Sequence, residues 1–211
     1  MVFSKAKLVF LAMPKTGTTA YEAALEPLAT LILRDPPELK HAPVFRYNRF
    51  FRPMIEKFMG DDFDVLAVMR EPESWLGSWY RYRSRPALDG HRNSTRDISF
   101  DEFVSAYMKG DKPAFASVGS QAKFLEPQRN GTAVTRLFRY EDQAGLRSFL
   151  EARLDTRFET AQLNRSPAMP LLLSDKTRAR FRRKCAEEFA LYESIGPDGA
   201  YTPPAPAPKP G

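Results

Sequence analysis

Short apolar runs alternate with amphipathic stretches along most of the chain. Residues 7–13 (KLVFLAM) carry an unbroken apolar run after the lysine, the pattern of a strand buried on both faces. Residues 18–33 then place Tyr21, Ala24, Leu25, Leu28, Leu31 and Ile32 at helical spacing, and Pro27 predicts a kink or an early break. Residues 64–69 (DVLAVM) form a second strand candidate. Residues 72–82 read as a helix, with Pro72 in its first turn and Glu73 close behind. Residues 132–138 (TAVTRLF) are a third strand candidate. Helices are expected over 100–108, 142–154 and 174–194, the last opened by Ser174 as a cap. Residues 84–99 are polar and irregular, and the stretch around His41 reads as a loop region.

Strands separated by helical segments predict an α/β fold, a central parallel sheet flanked by helices. Ligands of such sheets sit outside the carboxyl ends of the strands. A length of 211 residues suits one domain, expected over 1–200. Residues 201–211 (YTPPAPAPKPG) hold five of the eighteen prolines and no apolar face, which predicts a disordered tail.

Composition narrows the classes. The longest apolar run has six residues where a membrane span needs about twenty, so no integral membrane segment is expected. That run is also too short for a signal h-region and enters a polar turn, which favours a cytoplasmic protein. A single cysteine, Cys185, excludes an intrachain disulfide and a cysteine-rich zinc site. The net charge is +6, with 32 basic residues against 26 acidic. Arginine dominates them, and its planar fork suits phosphate and sulfate oxygens. No basic stripe interleaved with aromatics accompanies the charge, so nucleic acid is not an expected partner.

Directly after the first strand candidate stands Pro14-Lys15-Thr16-Gly17-Thr18-Thr19, followed by a helix. A strand, a short glycine-bearing loop and a helix N-terminus present backbone N–H groups and a favourable dipole to an anion. Lys15 adds a point charge, the hydroxyls of Thr16, Thr18 and Thr19 add donors, and Gly17 permits close approach. The same residues also suit an ordinary capped turn. The loop is not a Walker A sequence, because its lysine precedes its only glycine.

LAMPKTGTT resembles the 5′-phosphosulfate loop of the sulfotransferase family, whose signature is P-K-[ST]-G-T-[ST] after the first strand. A second segment, VLAVMREPESWLGSWYRYR, is similar to that family's 3′-phosphate motif. It has Arg70 at the strand end, Pro72 two residues on and Ser78 eight residues on. Two turns of helix separate Ser78 from the strand tip, so a phosphate between tip and helix face could meet both side chains. Taken singly, Arg70 also suits a salt bridge with Glu71 or Glu73, and Ser78 a packing contact. Trp75, Trp79, Tyr80 and Tyr82 read as helix packing rather than an adenine shelf.

The resemblance implies a P-loop-like three-layer fold and a nucleotide-binding transferase. Its co-substrate would be 3′-phosphoadenosine 5′-phosphosulfate (PAPS), its product 3′,5′-ADP (PAP), and no metal would take part. Lys15, Thr16, Gly17, Thr18 and Thr19 would hold the 5′-phosphate and sulfonate, and Arg70 with Ser78 the 3′-phosphate. The base that takes the acceptor proton comes from between the two motifs in many members. His41, in Leu39-Lys40-His41-Ala42-Pro43, is the candidate, with Lys15 the second catalytic group and Glu38 the alternative base. Lys40 reads either as an anion contact or as a solvated lysine, and His91 as a loop residue.

Phe138-Arg139-Tyr140-Glu141-Asp142 resembles the family's R-Y-E-D segment, whose glutamate is expected to orient or cap. Asn164-Arg165-Ser166-Pro167 resembles the segment before the last helix. The glycine-rich R-K-G-x-x-G-x-W-K segment of animal cytosolic members is absent, which points to the bacterial and carbohydrate branch. Arg165 or the cluster Arg178, Arg180, Arg182, Arg183 and Lys184 could stand in for it, although such a cluster also suits a solvated helix face. The expected acceptor is a hydroxyl of a carbohydrate or glycolipid, and a homodimer is open because many relatives dimerise. A nucleotide kinase using the same loop, or a nucleotide-binding module without chemistry, are the alternatives.

Overall fold

A computed structural model describes residues 1–160 and 169–205. The fold is mixed α/β, with four strands in one open, mostly parallel sheet. β1 (Val2–Phe3) runs antiparallel to β2 (Leu8–Phe10), whereas β2, β3 (Asp64–Met69) and β4 (Arg136–Arg139) run parallel. Val9 faces Val65, and Ala67 faces Leu137, so β3 lies between β2 and β4. Five of the six residues of β3 are buried, as its unbroken apolar sequence requires.

The helices follow in chain order. α1 (Thr18–Leu25) ends well before residue 33, because Pro27 diverts the chain into a 3₁₀ turn over Glu26–Leu28. Leu31, expected on that helix, instead bridges Val2 at the sheet margin. α2 (Pro37–Lys40) is a single turn. α3 (Val44–Arg46), a π turn at Tyr47–Phe51 and α4 (Arg52–Met59) run on as one helical segment. α5 (Pro72–Arg83) is capped by the Glu71 carboxylate, which accepts from the Ser74 N–H at 2.7 Å. α6 (Phe100–Tyr107) opens on a capping box of Ser99 and Glu102. α7 (Gln121–Leu125) and α8 (Gln143–Leu154) flank β4 in the sequence. The expected helix over 174–194 is two, α9 (Asp175–Lys184) and α10 (Ala186–Glu193), parted at Cys185.

Two compact units divide the chain. Among the described residues the first gathers 1–70, 121–160 and 194–205, and the second 71–120 and 169–193. The first unit holds the sheet and a core that includes Phe3, Phe10, Leu25, Leu66, Phe138 and Leu146, all 2% exposed or less. Each such side chain contributes about 1.5–3 kcal/mol on burial. The second unit has a separate aromatic core, in which Tyr80 meets Phe100 and Phe103 edge to face and Phe181 meets Phe189. Trp75 and Tyr80 belong to this core, in keeping with the packing role read for them. Of the proline-rich end, residues 201–205 hold no regular element, and residues 206–211 lie outside the described residues.

Candidate functional site: the carboxyl edge of the parallel sheet

Because β2, β3 and β4 are parallel, the residues that follow them emerge along one edge of the sheet. Those residues are the Pro14–Thr19 loop after β2, Arg70 after β3 and Tyr140 after β4. The two motifs singled out in the sequence therefore meet. One guanidinium nitrogen of Arg70 donates to the carbonyl oxygen of Lys15 at 3.4 Å. The guanidinium carbon also lies 4.3 Å from the centre of the Tyr140 ring, a cation–π distance.

Within the loop, Lys15 and Gly17 both adopt left-handed backbone conformations, with φ of 68° and 74°. For a lysine this costs on the order of 1–2 kcal/mol. Thr16 is fully buried, and its hydroxyl donates to the Met13 carbonyl at 2.9 Å, closing the turn from within. Thr18 is buried at the start of α1, whereas Gly17 and Thr19 are exposed. α1 has no acidic residue in its first turn to neutralise the positive end of its dipole. A β-carbon on Gly17 would lie 3.3 Å from the Tyr140 ring, so the glycine also serves that close approach.

Two residues that sequence reasoning did not assign shape this edge. Gln121, fully buried at the start of α7, accepts from the Arg70 N–H at 2.9 Å and donates to the Arg70 carbonyl at 2.8 Å. Its amide thus pairs with Arg70 as a neighbouring strand would, and nothing in the local sequence QAKFL signals it. Tyr140 lies in the R-Y-E-D segment, where its signal was available beside the glutamate. The cap of α8 is the neighbouring Asp142, which accepts from the Gly145 N–H at 2.9 Å.

His41 lies at the C-terminal end of α2, and its Nδ1 is 2.7 Å from the carbonyl oxygen of Ala12. A carbonyl can only accept, so Nδ1 carries the proton and Nε2 keeps the lone pair. Burial lowers the pKa of His41 from its ordinary 6.5, against the pull of the Ala12 bond, and the charges of Lys40 and Lys15 push the same way as burial. The imidazole is therefore neutral at pH 7, with a base nitrogen available. Lys40 matches neither role weighed for it. It forms an ion pair with Glu22 at 2.7 Å, and both side chains are largely buried. Glu38, the alternative base, is exposed.

The remaining expectations fall elsewhere. Ser78 is buried on α5 in the second unit, and its expected 3′-phosphate role rests on the motif alone. His91 is exposed, and its Nδ1 accepts from the Asn93 N–H. Arg178 is paired with Glu73 at 3.0 Å, and Arg182 stacks on Phe189 at 4.6 Å. Asn164, Arg165, Ser166 and Pro167 lie outside the described residues. Among the described residues, no group of three His, Cys, Asp or Glu could hold a metal ion, and no helix is long and apolar enough to cross a membrane. Comparison with protein-family models, curated proteins and solved structures returned no match.

Proposed function

We propose that this protein is a PAPS-dependent sulfotransferase of P-loop-like three-layer architecture, acting on a hydroxyl of a carbohydrate or glycolipid. The observation that carries this reading is the meeting of Arg70 with the Lys15 loop at the sheet edge. Two cationic side chains from separate strand ends suit a ligand with two anionic groups. The left-handed backbone at Lys15 and Gly17 supports it, because a strained loop kept at a strand tip is a recurrent sign of anion contact.

In this reading the donor's 5′-phosphosulfate lies against Lys15, Gly17, Thr18 and Thr19. Thr16 contributes through its main chain, since its hydroxyl is committed to Met13. Arg70 binds the donor's second phosphate, and Ser78 is assigned to that phosphate by its motif. His41 Nε2 takes the proton of the acceptor hydroxyl. The acceptor oxygen then forms a bond to sulfur as the bond from sulfur to the bridging phosphate oxygen breaks, leaving 3′,5′-ADP. Lys15 offsets the charge growing on the bridging oxygen.

Calorimetric titration with 3′,5′-ADP, paired with a radiolabelled-donor assay, tests the reading. Lys15→Ala is expected to abolish transfer, at a cost of about 10²-fold or more. Arg70→Ala is expected to weaken 3′,5′-ADP binding at least about tenfold. A wild-type protein that binds no 3′,5′-ADP, or unchanged turnover by Lys15→Ala, would overturn it.

A further inference from the structure

The helical segment formed by α3, the π turn and α4 is apolar on two sides. Its inner side buries Val44, Tyr47 and Ile55, each 4% exposed or less. Its solvent side carries Phe45 at 47% exposure, Phe50 at 57%, Met54 at 39% and Phe58 at 73%. Scattered apolar side chains on a surface are ordinary, but a row of them on one helix face is not.

Cations accompany the row. Arg46 lies over the Phe45 ring at 5.5 Å, Arg49 over Phe50 at 5.3 Å and Lys57 over Phe58 at 5.4 Å. In each pair the cationic group itself lies near the ring, and Arg46 also donates to the Glu38 main-chain carbonyl at 2.8 Å. The one carboxylate in residues 44–59, Glu56, is engaged by Arg52 at 2.5 Å. Within residues 44–59 this face is therefore apolar along its crest and basic at its margins, while Glu126 from beyond the segment lines a cavity with Phe45.

The geometry points to an anionic lipid surface as the partner of this face. Phe50, Met54 and Phe58 would enter the boundary between headgroups and acyl chains, with the exposed Arg49 and Lys57 against the lipid phosphates. Apolar insertion and charge attraction then act together, as in helices that lie in a membrane interface. A symmetric contact with a second copy would set Arg49 and Lys57 against like charges, which disfavours that occupant. Lipid binding through this face is independent of sulfuryl transfer, because Lys15 and Arg70 take no part in it.

Vesicle co-sedimentation of the full chain tests the inference. Binding is expected to vesicles containing phosphatidylserine, to be far weaker with phosphatidylcholine alone, and to fall as salt is raised. Phe50→Ser with Phe58→Ser, and separately Arg49→Glu with Lys57→Glu, should each lower binding at least about tenfold. These side chains are exposed, so the thermal midpoint should stay within a few degrees of wild type. Phe58→Trp supplies a direct readout: its emission should shift to the blue on anionic vesicles. No binding of the wild type to phosphatidylserine vesicles, equal binding by either double variant, or no spectral shift would overturn the inference. So would a wild-type dimer that Phe50→Ser with Phe58→Ser converts to monomer, because the face would then join two copies.

Discussion

Gln121 holds Arg70 by both of its main-chain polar groups, at 2.9 and 2.8 Å, and so orients the residue that follows the central strand. Gln121→Leu removes the side chain that meets both the N–H and the carbonyl of half-buried Arg70. That should cost about 2–4 kcal/mol in urea denaturation. Gln121→Glu keeps an acceptor for the N–H and should recover part of the loss. If the Arg70 backbone sets the anion site, weaker 3′,5′-ADP binding accompanies Gln121→Leu at temperatures where the variant is folded.

Tyr140 contributes its ring face to Arg70. Tyr140→Phe preserves that face and should bind 3′,5′-ADP as wild type does. Tyr140→Leu removes it and should weaken binding about twofold to fivefold, from a cation–π contact worth about 0.5–1 kcal/mol. Calorimetry on the two variants separates the ring from the hydroxyl.

Gly17→Ala places a β-carbon against the same ring while forcing alanine into a φ of +74°. A loss of about 1–2 kcal/mol in thermal or urea unfolding is expected. Substitution at Thr19, which is exposed, should leave stability within about 0.5 kcal/mol.

The proposed base gives a pH signature. Because burial lowers the His41 pKa below its ordinary 6.5, the imidazole stays neutral to lower pH than a free histidine. Turnover should therefore be flat through neutrality and fall only as pH drops through the lowered value, with an acid limb below 6.5. The same shift makes His41 a source of stability that is fully present above 6.5 and lost as pH falls through the folded-state value. His41→Ala should erase the acid limb and slow turnover about 10²–10⁴-fold. A limb that persists in His41→Ala would assign the base elsewhere.

The ion pair of Lys40 with Glu22 stands next to that histidine in the chain. Replacing one partner, as in Glu22→Gln or Lys40→Met, leaves the other charge buried and should cost about 3–5 kcal/mol. Removing both in Glu22→Leu with Lys40→Met should cost much less than the two single changes summed, as read by a double-mutant cycle.

How far pattern reading reaches depends on which faces of an element are buried. β3 was legible over residues 64–69 because a strand covered on both sides is a continuous apolar run. The β1 strand has two residues, too few to show any period. The segment from α3 to α4 escaped because Phe45, Phe50, Met54 and Phe58 place apolar groups on its solvent side. Its π turn also shifts the phase, so no single amphipathic stripe remains. Nothing local marks the break at Cys185 between α9 and α10.

The candidate site divides in the same way. Lys15, Gly17 and Arg70 follow apolar strands in short polar segments, so their place at strand ends was written in the order of residues alone. The sequence also determined the mixed α/β class, through apolar runs that alternate with helical periods. Only the tertiary structure decided that Arg70 reaches Lys15, that Gln121 clamps Arg70, that Tyr140 underlies it and that His41 anchors on Ala12. Those relationships join residues far apart in the chain. They exist because parallel pairing brings separate strand ends to one edge, which no local pattern encodes.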